Sequence, residues 1–304
     1  MSNSKTKIHA ENEVAKAHGI FHPAADAGAS SKPLLVLIHG TGTNASYFDN
    51  ELHSIPANFN KLGYNVLNVN RPGYGTNPIP STSRPVFSTP PLYAQLINDA
   101  YDNHHKGSDG VILIGHSLGA ATSLILAALE GDNIPLRGVS ALGVVPAKTR
   151  PDLSLFEGVF SDAKVERLPL PAEPSAQDLK LFLGVPDFFD LAHLPRLEGV
   201  FEGAVKHELT EWTDLATYEK FVNEILPAVK VPLQFLAAEI ELHWQSLEQA
   251  QPIFDEVAAQ FTGVPRIDKE LLPGGAHNFE FSTNSALLQK KREEFVNSLT
   301  KNEV

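Results

Sequence analysis

The 304-residue sequence contains no cysteine, a single methionine and two tryptophans. The absence of cysteine excludes disulfide bonds, thiolate nucleophiles and thiolate metal ligands. Positive charge is also scarce, because 24 Lys and Arg residues face 36 Asp and Glu residues, for a net charge of −12. Nucleic acids and anionic membrane surfaces require clustered positive charge, so we expect neither as a partner.

Long apolar runs are missing too. No stretch approaches the roughly 18 apolar residues of a membrane-spanning helix, so the sequence predicts no membrane span. The first residues are polar and no apolar segment follows them, which predicts no signal peptide and a cytoplasmic location. The length suits one large α/β domain, or a core domain with an insertion, and permits a sizeable core. It leaves the oligomeric state open, a homo-oligomer included.

One stretch, residues 111–129, organises the rest of the chain. Val111–Ile114 is an apolar, β-branched run that predicts a buried strand, and residues 118–129 predict a buried helix. Between them stands Gly115-His116-Ser117-Leu118-Gly119, and strand, G-x-S-x-G and helix in this order are typical of a nucleophile elbow. The sharp turn strains the central residue and requires glycine on both sides of it. It also places the Ser117 hydroxyl at a helix N-terminus, where negative charge is favoured.

Short apolar runs alternate with helical patterns along most of the chain. This alternation predicts an α/β fold with a mostly parallel central sheet and helices on both faces. Residues 147–230 lack it and are rich in Pro, Phe and Leu, which predicts an inserted, mainly helical lid over a core of residues 1–146 and 231–304. Ligands of such sheets bind beyond the carboxyl ends of the strands. Strands are predicted near Ile20 and over residues 34–38, 64–70, 111–114, 139–145, 233–238 and 266–272.

Two connections carry further expectations. Asn44 can cap a helix that runs toward Leu62, with a break near Pro56. Residues 72–91 are rich in Pro, Ser and Thr, which predicts a long irregular loop.

These motifs resemble the α/β-hydrolase family over residues 34–146 and 231–300. His39-Gly40 resembles the family's oxyanion loop, and Arg71-Pro72-Gly73-Tyr74-Gly75 resembles its Asp/Arg-x-Pro-Gly-x-Gly turn. The family's usual Gly-x-x-Asp is replaced by Ala238-Glu239-Ile240-Glu241, so a Glu must take the place of the Asp. The resemblance implies a serine hydrolase with a lid insertion.

Three side chains are predicted to form a catalytic triad. The Ser117 hydroxyl can attack only if a positioned base removes its proton. His277, in Gly-Gly-Ala-His after the last predicted strand, is expected to be that base. Glu241 is the preferred acid to orient the imidazole, with Glu239 and then Asp152 as alternatives. The chain order of Ser, acid and His agrees with the family order.

The oxyanion hole is expected to use the backbone N–H of Leu118 together with that of Thr41 or Gly42. His39 and His116 are expected to support these loops rather than react. Apolar side chains of the lid, Phe188 and Phe189 above all, are expected to bind substrate, although such residues can equally form the lid's own core. The candidates for this role in the predicted lid are Phe156, Phe160, Phe182, Phe188, Phe189 and Phe201.

Cofactors are not expected. No His-x-x-x-His pair or cluster of acids and histidines has metal-ligand spacing. The glycine-rich segments match neither a phosphate loop nor G-x-G-x-x-G. The sequence thus predicts a metal-free serine hydrolase that cleaves a carboxylic ester of a small to medium apolar substrate through an acyl-enzyme.

Other functions remain open at this point. A thioesterase, lactonase, acyltransferase or carbon–carbon bond hydrolase would use the same triad. A non-hydrolytic binding protein would use the same fold. A serine at the elbow disfavours epoxide hydrolase and haloalkane dehalogenase activity. The resemblance to the family implies that relatives with those activities have Asp at this position.

Overall fold

An eight-stranded sheet forms the centre of the computed structural model, which describes residues 5–24, 31–104, 109–144, 165–169, 175–241, 244 and 246–300. Its strands are β1 Thr6–Glu11, β2 Lys16–His22, β3 Leu34–Ile38, β4 Val66–Asn70, β5 Val111–His116, β6 Leu136–Leu142, β9 Leu233–Ala238 and β10 Ile267–Leu272, and β7 Arg167–Leu168 pairs with β8 Ala204–Val205 in a separate ribbon. The spatial order of the sheet is β1-β2-β4-β3-β5-β6-β9-β10. All neighbours from β4 to β10 are parallel, whereas β2 is antiparallel to both β1 and β4. The mostly parallel sheet predicted from the sequence is confirmed.

Helices cover both faces of the sheet because its central strands are apolar on both sides. The helices are α1 Ile55–Lys61, α2 Pro85–Ser88, α3 Pro90–His104, α4 Leu118–Leu129, α5 Ala176–Leu183, α6 Lys206–Trp212, α7 Leu215–Lys220, α8 Leu226–Ala228, α9 Leu247–Ala258 and α10 Ser285–Leu299. In β3, Leu34, Val36 and Ile38 pack into one core cluster with α3, α4 and α9. Leu35 and Leu37 point the other way, into a cluster with α1 and α10.

Local structure differs from the sequence prediction at three places, and proline explains two of them. The N-terminus forms a hairpin of two strands rather than one strand. Asn44 caps only a 3-10 turn, and α1 begins later, at Ile55, with Ser54 as its N-cap and Pro56 in its first turn. The stretch 72–91 is not irregular throughout, since it contains α2 and the start of α3, each of which begins at a proline. Proline has no N–H and fits the first turn of a helix but not its interior.

The segment between β6 and β9 is mainly helical where it is described. Helix α5 begins with a capping box between Ser175 and Asp178 and ends at Gly184, which has φ 77°. A π-helical turn, Phe221–Ile225, joins α7 to α8 and packs into the main core. The segment predicted as an insertion therefore contributes to the main core. No helix within the described ranges is long and apolar enough to cross a membrane.

Candidate active site

Ser117 lies in the turn between β5 and α4 with φ 53° and ψ −126°. Among the described residues it is the one non-glycine residue with positive φ. The flanking glycines permit the turn: a Cβ at Gly115 would lie 2.5 Å from Ala120 Cα, and one at Gly119 would overlap the carbonyl oxygen of Ile38. Strained backbone of this kind concentrates at functional sites, where the surrounding packing holds it in place.

The structure brings Ser117, His277 and Glu241 into one hydrogen-bonded chain. Ser117 Oγ lies 2.9 Å from His277 Nε2, and His277 Nδ1 lies 2.5 Å from Glu241 Oε2. The His277 and Glu241 side chains are only 4% and 2% exposed. The network assigns the Nδ1 proton to the bond with the carboxylate, which leaves Nε2 free to accept the serine proton.

The backbone and side chain of Glu241 are both held in place. Its Oε1 accepts the Ala238 N–H at 3.2 Å. Its backbone forms a two-way bridge with Trp244, whose indole Nε1 donates to the Ala238 carbonyl at 3.0 Å. Gly143, directly after β6, has φ 70°, and a Cβ there would lie 3.2 Å from Glu241 Oε1 and 3.3 Å from His277 Cε1. The pair of acid and base is therefore enclosed closely by backbone.

The other candidate acids occupy different positions. Glu239 Oε2 accepts the Gly274 N–H at 2.9 Å, so its carboxylate holds the start of the loop that carries His277. Asp152 lies outside the described residues. Within the described ranges, no group of three or more His, Asp or Glu side chains could hold a metal ion.

His116 supports the loop of His277 from behind. Its Nε2 donates to the His277 carbonyl oxygen at 2.9 Å, and its ring stacks on Tyr47 with the centroids 4.5 Å apart. Burial lowers the pKa of His116 to about 4, although the nearby Glu280 acts to raise it. A neutral His116 with its proton on Nε2 can keep this bond across the neutral pH range.

A buried ion pair behind His116 was not foreseen from the sequence. Glu280 accepts hydrogen bonds from the Tyr47 hydroxyl and from Arg292 Nη2, the latter at 2.7 Å. Burial raises the pKa of Glu280, but the charge of Arg292 and the hydrogen bonds from Tyr47 and Arg292 act against it, and the pKa falls to about 2. Tyr47 and Glu280 are 233 positions apart, and no local motif links them.

The predicted oxyanion loop, Gly40–Gly42, runs against the elbow. A Cβ at Gly40 would lie 2.9 Å from Ser117 Cβ. His39 uses both ring nitrogens to support the loop: its Nδ1 donates to the Gly40 carbonyl at 2.8 Å, and its Nε2 accepts the Arg71 N–H at 3.2 Å. Burial and then the charge of Arg71 keep the pKa of His39 well below its usual value. His39 is therefore a neutral support of the loop.

The candidate oxyanion donors differ in whether their N–H groups already have an acceptor. The Gly42 N–H donates to the Tyr74 hydroxyl at 3.3 Å. In the described part of the chain, the N–H groups of Thr41 and Leu118 have no acceptor. Of the two residues expected after Gly40, Thr41 is the one with an N–H available to a ligand.

The phenylalanines of the predicted lid fall into different environments. Phe189 is 3% exposed and packs among Leu183, Leu197 and Val200, as a core residue of the insertion does. Phe188 is half-buried, and its backbone bonds Gly184 and Thr283. Of the four described phenylalanines in this set, Phe182 is the one whose ring meets that of His277, edge-on with the centroids 5.8 Å apart. Phe201 packs against Phe281, while Phe156 and Phe160 lie outside the described residues.

Comparison with known proteins agrees with this architecture. Residues 35–287 match the alpha/beta hydrolase family, and the chain belongs to it. No curated protein sequence matches. Similar solved structures include a thermostable carboxyl esterase from Bacillus coagulans, with TM-score 0.69 and 14% identity over 99% of this chain and 99% of that chain. They also include a monoacylglycerol lipase from Paleococcus ferrophilus (0.62, 17%, 98% and 100%) and an epoxide hydrolase from Vigna radiata (0.62, 15%, 98% and 99%). At these identities the likeness concerns the fold.

Proposed function

We propose that this protein is a serine hydrolase that cleaves carboxylic esters of small to medium apolar substrates. The observation that carries the proposal is the continuous hydrogen-bonded chain from Ser117 Oγ through His277 to Glu241. Ser117 attacks the ester carbonyl while His277 Nε2 accepts its proton and then passes it to the leaving alcohol. Glu241 stabilises the imidazolium, and water, activated by His277, releases the acid from the acyl-enzyme.

The negative charge that forms on the carbonyl oxygen would be bound by two backbone N–H groups. Leu118 supplies one, at the N-terminus of α4, and Thr41 supplies the other. The free N–H of Thr41 favours it over Gly42, whose N–H is bonded to Tyr74. Such donors act mainly on charge present in the transition state, so they lower the barrier more than they strengthen substrate binding.

An apolar substrate is supported by the lid aromatic that stands beside the base. Phe182 meets His277 edge-on, so a substrate in contact with both Ser117 and this ring needs an apolar surface. Two of the similar structures are a carboxyl esterase and a lipase. The third is an epoxide hydrolase, and Ser117 at the elbow disfavours that chemistry here. Thioester, lactone and carbon–carbon bond cleavage, or acyl transfer, would use the same three side chains.

The proposal is tested with a fluorophosphonate probe and a panel of p-nitrophenyl esters. The wild type should be labelled covalently and should hydrolyse short apolar esters, and Ser117→Ala should lose both properties. Ser123→Ala is the matched control, because this serine lies in α4 and only bonds the Gly119 carbonyl, at 2.9 Å. Labelling that persists in Ser117→Ala, or a wild type that binds esters without turnover, would contradict the proposal. The same panel with thioesters, lactones and acceptor alcohols identifies the alternatives.

A further inference from the structure

One carboxylate of the insertion, that of Glu208, is buried beside the oxyanion loop. Glu208 lies on α6 and is 5% exposed. Its Oε1 forms an ion pair with Arg71 Nη2. Its Oε2 accepts hydrogen bonds from the Tyr74 hydroxyl at 2.6 Å and from Thr41 Oγ1 at 3.0 Å. A single side chain of the insertion thereby joins the oxyanion loop to the Arg71–Gly75 turn.

The Tyr74 hydroxyl extends this link to the backbone. It donates to Glu208 and accepts the N–H of Gly42 at 3.3 Å and that of Val205 at 3.1 Å. Burial and then the charge of Glu208 raise the pKa of Tyr74, so the phenol stays protonated and keeps donating. Val205 directly precedes α6, so the start of that helix and the oxyanion loop share one hydroxyl.

The charges at this position are balanced. A lone carboxylate beside an oxyanion hole would oppose the negative charge that forms during reaction. Burial lowers the pKa of Arg71, but the Glu208 carboxylate outweighs that effect and shifts it upward, so Arg71 stays charged and cancels the charge of Glu208. The carboxylate can therefore hold the loop by hydrogen bonds at little electrostatic cost to the transition state.

We propose that Glu208 is a positioning residue of the oxyanion hole, which holds the Thr41–Gly42 segment so that the Thr41 N–H points at the reacting carbonyl. This inference rests on the proposed function. Glu208 reaches this segment directly, through the hydrogen bond from the Thr41 side chain, and indirectly, through Tyr74, which accepts the Gly42 N–H. Two other bonds hold the backbone on either side of Thr41: His39 donates to the Gly40 carbonyl, and the Gly42 carbonyl accepts the Glu202 N–H at 2.8 Å. Glu208 adds the bond at the Thr41 side chain itself, so the direction of the Thr41 N–H depends on the position of α6.

Glu208→Gln tests the proposal, with Glu211→Gln as the matched control. Glu211 lies one turn later on the same helix and is 4% exposed. Its carboxylate accepts the N–H groups of Val86 and Phe87, at 2.6 and 3.3 Å, and makes no contact with the oxyanion loop. Both variants remove one buried negative charge from α6, so they share any general effect on the insertion. They differ in the link to Thr41 and Tyr74.

The readouts are kcat and KM for p-nitrophenyl acetate and the affinity for an aryl trifluoromethyl ketone, whose adduct with Ser117 carries an oxyanion. Misplaced catalytic groups cost up to about 100-fold in rate, so Glu208→Gln should lower kcat by about 10-fold or more and ketone affinity in parallel. KM should stay within about 3-fold, because oxyanion donors act mainly in the transition state. Glu211→Gln should leave kcat and ketone affinity within about 3-fold, even if it lowers Tm.

A second variant keeps the test decisive if Glu208→Gln fails to fold. Tyr74→Phe retains the ion pair of Glu208 with Arg71 and removes only the bridging hydroxyl, so it should show the same selective loss of kcat and ketone affinity. Unchanged kcat and ketone affinity in Tyr74→Phe, or equal losses in Glu211→Gln, would overturn the inference. Covalent labelling of the wild type at Ser117 shows whether the proposed function stands, since a failure of that function would abolish this labelling and a failure of the Glu208 inference would not.

Discussion

The backbone N–H of His277 donates a hydrogen bond to the carbonyl oxygen of Leu181 at 3.2 Å. The next N–H, of Asn278, donates to Phe182 in the same way at 2.9 Å. Both acceptors belong to the last turn of α5, where helix carbonyls have no partner within the helix. The end of α5 therefore holds the backbone of the loop that carries the proposed base.

The first prediction separates the two glutamates that follow β9. Glu241→Gln should lower kcat by orders of magnitude, as removal of a triad acid's charge does, because the imidazolium loses its charged partner. Glu239→Gln should lower it by less than about 10-fold, since an amide oxygen can still accept the Gly274 N–H. Steady-state kinetics with p-nitrophenyl acetate measures both. A larger loss in Glu239→Gln would move the catalytic acid to that residue.

The second prediction concerns Gly143, which packs against the acid and the base. Gly143→Ala and Gly199→Ala each place alanine at positive φ, 70° and 75°, which costs roughly 1–2 kcal/mol of stability. Only at Gly143 would the new Cβ press on Glu241 and His277, because nothing lies within 4 Å of a Cβ at Gly199. Both variants should lose Tm, and only Gly143→Ala should lose kcat. Equal activity in the two variants would mean that the triad tolerates displacement at Gly143.

The third prediction concerns the lid aromatics and revises the expectation for Phe189. Phe182→Ala opens space beside His277 and should change the ratio of kcat/KM between long and short acyl esters. Phe189→Ala removes a buried ring, which should cost about 3–5 kcal/mol of stability and affect all esters alike. Thermal unfolding and a series of p-nitrophenyl esters distinguish them. An ester-dependent effect in Phe189→Ala alone would restore Phe189 as a substrate-binding residue.

The sequence predicted the parts of this molecule that local pattern dictates. The elbow could be predicted because its strand, its glycine spacing and its helix are contiguous in sequence. Glu241 and His277 could be proposed because each follows a predicted strand. The sheet could be predicted because its central strands are buried on both faces and so consist mostly of apolar residues.

The links across the insertion were not predicted, because each joins residues far apart in sequence by a single contact. Glu208 is 167 positions from Thr41, and nothing in its neighbours distinguishes it from a solvated helix carboxylate. Phe182 was one of six candidate phenylalanines. Only the contact between the end of α5 and the loop that carries His277 distinguishes it from the others. Helix starts were misplaced where proline in a polar stretch was interpreted as a loop, as at Pro85 and Pro90.

The last prediction concerns stability in acid and depends on His22. This side chain lies at the end of β2, is 4% exposed, and has no hydrogen-bond partner for its Nε2 among the described residues. Burial, aided by the charge of Lys5, lowers the pKa of His22 from 6.5 to about 4. The unfolded chain therefore takes up a proton below pH 6.5 that the folded protein refuses until about pH 4, so the free energy of unfolding falls as pH is lowered through that window. His116 acts in the same direction.

His22→Phe removes this titration and the unpartnered nitrogen while it keeps a ring in place. Its Tm should fall less steeply than that of the wild type between pH 6.5 and 4.5, but it should still fall, because His116 continues to contribute. His207→Gln is the control, since His207 lies exposed on α6 and its replacement should leave the slope unchanged. Thermal unfolding followed by circular dichroism at several pH values measures the three slopes. A wild-type slope in His22→Phe would show that His22 is protonated equally readily in the folded and unfolded chains.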